Sequence, residues 1–356
     1  MIKFILKKIG YSLLVLLGVV TVVFFLFNLS PSDPVRNLTG ENAPQEVVDK
    51  MRRKLDLDLP LSQRYFLYLN DISPLSIHTK GEDSRTVWSV DKYSGFRFVQ
   101  SDGFDIALKS PYLKRSFLSE RKVSEILGEV MPGTALLAVL SIVLALIIGM
   151  VFGIIAAIKK DTWLDRLLLF VSAIGMAGPS FFVAIIVAWL GAVVLRDYTG
   201  LNMTGSLYSV DVWKGEFVDL KNIILPLITL TIRPLAVVVQ LTRSSLLDVL
   251  SQDYIRTARA KGLSEWKVIV RHGVRNALNP VVTAISGWFA SLLAGAVFVE
   301  FVFGWKGLGQ ELFTAIEKQD LPVVMGGVVL IAASFVVINM LVDVIYGWID
   351  PRVRVS

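Results

Sequence analysis

Six long apolar runs dominate the chain, at 9–29, 133–158, 164–195, 223–241, 277–303 and 323–348. Each can cover the roughly 30 Å hydrocarbon core of a bilayer as a helix. Gly178-Pro179 predicts a kink or tilt in the third run, and Arg233-Pro234 interrupts the fourth. Backbone freed by proline in lipid must find partners on neighbouring helices, so the pattern predicts a bundle rather than isolated spans. Gly149, Gly153 and Ala157 fall four apart on the second run, and Gly287, Ser291 and Gly295 on the fifth. That spacing lets transmembrane backbones approach closely. The first run follows Lys3, Lys7 and Lys8. It is longer than the ~7–15 apolar residues of a cleavable leader and is followed by no small-residue cleavage pattern, so it predicts a retained first helix.

The segment 30–130 has a different texture. Residues 44–54 predict a short amphipathic helix with Val47, Met51 and Leu55 at helical spacing, and 61–69 predict a second. Residues 86–100 predict a hairpin, with Trp88, Val90, Phe96 and Phe98 around Ser94-Gly95. The predicted fold is therefore an all-α polytopic membrane protein with six transmembrane helices. A first helix at 1–29 leads into a small α+β extracytoplasmic domain at 30–130, and a five-helix core fills 131–356. Two uses fit the small domain: a structured cap, or a docking surface for a solute-binding protein.

Charge sets the orientation. The loop after the second run carries Lys159, Lys160 and Arg166, and the loop after the fourth carries Arg243, Arg256, Arg259, Lys261, Lys267, Arg271 and Arg275. The tail adds Arg352 and Arg354, whereas the loops at 196–222 and 304–322 are nearly balanced. Positive loops stay inside, which places both termini in the cytoplasm. Composition agrees with a lipid setting: 54% of residues are hydrophobic and 19% charged, where a soluble domain has about a quarter charged. The net charge of +6 then belongs to cytoplasmic loops rather than to a nucleic-acid surface.

Catalytic signatures are missing from the sequence. There is no cysteine, so disulfides and thiolate metal sites are excluded, and the only histidines are His78 and His272. No G-x-x-x-x-G-K-[ST] phosphate loop occurs, so no ATP hydrolysis is expected of this chain. The glycine-rich stretch 304–309 lacks a flanking βαβ unit and is not a nucleotide loop. Asp343, four residues after Asn339 on the last run, is an intramembrane carboxylate, and Glu300 is placed similarly at the opposite edge. Asp343 is expected to be the buried partner of a cytoplasmic arginine such as Arg243, because a proton relay would need a chain of ionisable groups.

Residues 246–276 are too polar to span a bilayer yet keep helical periodicity. Asp253 to Lys261 predict a short helix, with Gly262 as its C-terminal cap. Ser264 can cap a following helix whose apolar face carries Trp266, Ile269 and Val270. Ile255, Ala258 and Leu263, ringed by Arg256, Arg259 and Lys261, suit a groove on a soluble partner. A basic amphipathic helix lying on anionic lipid fits the same composition.

The stretch DYIRTARAKGLSEWKVIVRHGVRNALNP at 253–280 resembles the cytoplasmic "EAA" loop of binding-protein-dependent ABC importer permeases, in the variant of the dipeptide, oligopeptide and nickel branch. It departs from the general E-A-A-x-x-x-G pattern, with Arg256 and Thr257 at the first two positions. LSPSDPV at 29–35, LDLDLPLSQRYFLYL at 55–69, GPSFF at 178–182, VFVEFVFGWKGLG at 297–309 and NMLVDVIYGWIDPRVR at 339–354 are similar to the same branch, and the N-terminal part to its B-type subunit. Residues 73–110 depart from it, forming a longer external loop than the branch usually has.

The resemblance implies pairing with a second, homologous permease, one or two ATPase subunits that carry the ATP and Mg, and an extracytoplasmic solute-binding protein. Asp253, Tyr254, Ile255, Arg256, Thr257, Ala258, Arg259, Lys261, Gly262, Leu263 and Ser264 would form the coupling helix and its cap. Asn279, Thr283 and Ser286 are polar candidates for the cargo path, with helix–helix hydrogen bonding as the alternative. The implied cargo is a peptide, or else nickel or another small solute. An ion-coupled secondary transporter is the rival class, and the scarcity of midplane charges stands against it.

Overall fold

The computed structural model describes residues 2–28, 34–40, 43–80, 85–211 and 215–349. Helices α1 (Ile2–Asn28), α2 (Pro34–Thr39), α3 (Gln45–Lys54) and α4 (Leu61–Ile72) precede strands β1 (Leu75–Thr79), β2 (Gly95–Gln100) and β3 (Phe104–Lys109). Helix α5 (Val123–Ile158) is followed by α6 (Trp163–Ala177), α7 (Ser180–Trp189), a wide-turn π segment at Leu190–Val194, and α8 (Arg196–Thr199). A two-stranded ribbon, β4 (Tyr208–Asp211) and β5 (Gly215–Val218), leads to α9 (Lys221–Leu250) and α10 (Asp253–Ala260). Then come α11 (Glu265–Lys267), a second π segment at Val268–Val274, α12 (Arg275–Gly295), α13 (Val297–Phe303), α14 (Leu308–Glu317) and α15 (Leu321–Ile349).

Among the described residues, α1, α5, α9 and α15 each contain a stretch long and apolar enough to cross a membrane. Helices α6 and α7 meet the same test together, bent by 110° across Gly178-Pro179 where the kink was expected. The fifth of the six expected spans, at 277–303, is not one long helix. It holds Pro280 within α12 and breaks at Ala296 before α13. The interruption expected at Arg233-Pro234 does not occur. Helix α9 runs through Pro226 and Pro234 for 30 residues, packed against α6, α7 and α12.

The chain divides into two compact units, Met1–Glu129 with Leu312–Val336, and Val130–Glu311 with Val337–Ser356. In the first, Val20 and Phe24 of α1 pack on Tyr68 of α4 and Val329 of α15, and the hydroxyls of Thr21 and Tyr65 share a hydrogen bond of 2.7 Å. The three strands form an antiparallel sheet in the order β1-β3-β2. The hairpin is therefore β2–β3, turning at 101–103, and Ser94-Gly95 opens β2 instead of turning it. Trp88 lies outside the strands and packs on His78 and Tyr93.

The sheet is amphipathic in an inverted sense. Its covered face carries Ser76, His78, Asp105, Ala107 and Lys109, all buried, while Leu75, Ile77, Phe96, Phe104 and Leu108 are exposed. Burying polar groups requires partners, and they are present. His78 Nδ1 lies 2.8 Å from the Thr86 carbonyl and Nε2 2.8 Å from the Ser76 hydroxyl. Lys109 donates to the Asp71 and Ser73 carbonyls. Asp105 binds Arg97 at 2.8 Å and Lys80 at 3.2 Å. Burial lowers the His78 pKa from 6.5, and that of Lys109 from 10.5 to about 8.

In the second unit α9 is the central helix. Gly149 and Gly153 of α5 face it so closely that a Cβ would fall 2.7 Å from Val238 and 2.8 Å from the Val239 carbonyl. The first small-residue stripe is thus a packing face. Gly287, of the second, meets open space within this chain.

Candidate functional site

The polar loop at 251–276 is built on the end of α9. Ile255 and Ala258 stand three apart on α10, so they share a face. Both are buried, packed on Val249, Leu250 and Val268. This corrects the expectation that they contact a partner protein: they fasten α10 to its own chain. The second helical segment is turned likewise. Val268 and Ile269 are buried, whereas Trp266 and Val270 are exposed, so the buried face is 268–269–273–277, and of the expected face of Trp266, Ile269 and Val270 only Ile269 turns inward.

Gly262 ends α10 with φ +77°, in the left-handed region that glycine enters without strain. Its N–H donates to the Arg259 carbonyl at 2.9 Å, and the Leu263 N–H reaches back to Ala258 at 3.4 Å. These two bonds define a Schellman cap. Ser264 occupies the N-cap position of α11 with extended backbone, and its side chain makes no capping bond. Arg259 grips Glu265 with both Nε and Nη, at 2.8 and 3.3 Å, across the turn, and Asn276 donates to the Tyr254 hydroxyl. What remains outward is Asp253, Tyr254, Arg256, Thr257, Arg259, Lys261, Gly262, Leu263, Ser264 and Trp266. The result is a braced helix and turn presenting a basic surface with an exposed leucine and tryptophan.

Above this loop, Arg243 of α9 forms a two-point ion pair with Asp165 of α6, at 2.6 and 2.7 Å. Asp165 is 2% exposed. It also accepts from the Asp161 N–H, while its own N–H is capped by Thr162. The arginine's partner is thus Asp165, not the expected Asp343, whose side chain lies outside the described residues. Asn339 is half-buried. Of the path candidates, Thr283 is exposed on α12, and the side chains of Asn279 and Ser286 lie outside the described residues.

Glu300 is fully buried and fully engaged. It accepts from the Thr134 hydroxyl at 2.7 Å and from the N–H groups of Gly309 and Gln310 at 2.7 and 3.2 Å, in the first turn of α14. A carboxylate there answers the orphan donors of a helix start. Thr134 in turn accepts from the Leu308 N–H. A Cβ on Gly307 or Gly309 would overlap the carboxylate or Val297. The glycine-rich stretch 304–309 is therefore a cradle for Glu300.

Comparison with known proteins fits this geometry. Residues 149–355 match the family described as binding-protein-dependent transport system inner membrane component, and residues 1–82 match the family described as the N-terminal part of the membrane component of such systems. The dipeptide transport system permease of Alkalihalophilus pseudofirmus is 30% identical over 99% of this chain and 100% of its own length. The glutathione transport system permease of Escherichia coli O6:H1 is 35% identical over 99% of both chains. A chain of the inward-facing MetNI methionine ABC transporter superposes with a TM-score of 0.52 at 15% identity, covering 64% of this chain and 97% of that one, and so shares the fold. The chain belongs to the family of binding-protein-dependent transport system inner membrane components. It is a transport subunit embedded in the membrane, and hydrolysis of ATP falls to separate subunits.

Proposed function

We propose that this chain is one of two homologous permeases in an ATP-driven peptide importer, with six spans and both termini in the cytoplasm. The outward surface of residues 253–266 seats in a groove of an ATPase subunit. The observation that carries this reading is the bracing of that surface. Behind it, Ile255 and Ala258 are spent on α9 and the Val268–Val274 segment, so a push on α10 moves α9 rather than bending the loop. Coupling needs such an element with discrete arrangements. Peptide cargo is supported by end-to-end similarity to dipeptide and glutathione permeases.

Outside the membrane, the exposed apolar face of the β1–β3 sheet, with Phe96 and Leu108 at its centre, is the docking surface for the solute-binding protein. Purifying the tagged chain gently from its native membrane and identifying its companions by mass tests the reading. A second permease and P-loop ATPases are expected. A chain that arrives alone and moves solute without ATP would overturn it.

A further inference from the structure

We propose that Arg233 lines the cargo path and holds the carboxylate of the peptide as it crosses; this rests on the peptide-importer reading above. Arg233 sits twelve residues after Lys221 in the 30-residue helix α9, about 18 Å along its axis and near the middle of the apolar run 223–241. It is half-buried. One Nη donates to the carbonyl of Gly178 at 2.7 Å, at the break between α6 and α7. Its Nε is buried with no acceptor, and among the described residues no carboxylate forms an ion pair with it.

An arginine at this depth is costly against lipid and faces a bundle interior or a watery cavity. The same side of α9 carries Gln240, seven residues on, whose amide lies 3.7 Å from the Met176 sulfur of α6, and then Ser244, which is exposed. Arg233, Gln240 and Ser244 form a polar stripe running down α9 toward the cytoplasm. Its upper end holds a guanidinium with unused donors, oriented by the Gly178 carbonyl that the 110° bend leaves outside the helix. Carboxylates are the natural two-point partners of such a fork, and a peptide carries one at its C-terminus.

The chain has no cysteine, which makes the test direct in an importer reconstituted with its partner permease, ATPases and binding protein. If the unmodified importer takes up no peptide, the peptide reading fails, independently of Arg233. Given uptake, Arg233→Gln should leave assembly intact and lower uptake by roughly tenfold, the loss expected from one charge-assisted hydrogen bond. Arg233→Cys should be equally impaired. Aminoethyl methanethiosulfonate should restore its uptake, the neutral methyl reagent should not, and saturating cargo should slow the labelling. Unchanged uptake in Arg233→Gln, a thiol that water-soluble reagents never reach, or loss of the partner permease from the variant complex would each overturn the proposal. The last would assign Arg233 to a carboxylate of the partner.

Discussion

Single side chains here act mostly by satisfying one another. Glu300→Gln replaces one acceptor oxygen with an amide that faces donors from Thr134 and α14, and leaving a buried donor unsatisfied costs about 1–3 kcal/mol. Thermal unfolding of the purified complex should show that loss, and Gly307→Ala should show a similar one by overlap with the carboxylate. His78 makes the three-stranded sheet sensitive to acid. Its folded pKa lies below 6.5, so the unfolded state binds the proton more readily. Stability is full above that value and falls as pH drops through the folded pKa. Hydrogen exchange of β1 amides should accelerate in acid, and His78→Gln should flatten the dependence. The residue chemistry was legible only in part. Glu300 stood out as an intramembrane carboxylate, but Thr134, 166 residues away, gave no sign of being its partner. Arg233 could be read as a helix interruption; its contact with Gly178 is visible only once α6 and α9 are packed.

Elements repeat that contrast between local and tertiary information. The helix at Asp253 and its Gly262 cap were legible because turn chemistry is local. The facing of that helix was not. Ile255 and Ala258 at helical spacing suit a partner's groove as well as the chain's own core, and only the position of Val268 decides. At Gly262 there is open space for a side chain, so strain alone opposes substitution. Gly262→Val forces a β-branched residue into left-handed backbone, at about 1–2 kcal/mol. ATP hydrolysis should persist while uptake falls, and unchanged uptake would remove the loop's coupling role. Asp165→Asn leaves half-buried Arg243 without its counter-charge; breaking a fully buried pair costs about 3–5 kcal/mol, which is the upper bound here. The double variant Asp165→Asn/Arg243→Gln should unfold at a higher temperature than the sum of the single losses implies. Strand placement failed for a further reason. Ser94-Gly95 carries a turn signal, but Gly95 instead sits against the Leu108 and Lys109 backbone, where no side chain fits.

Across the whole molecule, the apolar runs announced a polytopic membrane protein, and family membership agrees. The exposed face of the three-stranded sheet was hidden from sequence reasoning, because its covered face is the polar one. If that face receives the binding protein, Phe96→Ser combined with Leu108→Ser should spare assembly and weaken delivery, measured as uptake against binding-protein concentration.

The central claim is that the outward surface of residues 253–266 meets an ATPase while the inward surface does not. Single cysteines introduced into this cysteine-free chain at Arg256, at Leu263 and at buried Ile255 provide the most direct measurement, by cross-linking to the ATPases in native membranes. The account expects adducts from Arg256→Cys and Leu263→Cys and none from Ile255→Cys. Absence of any adduct from the two outward positions, or an adduct from Ile255→Cys as strong as theirs, would contradict it.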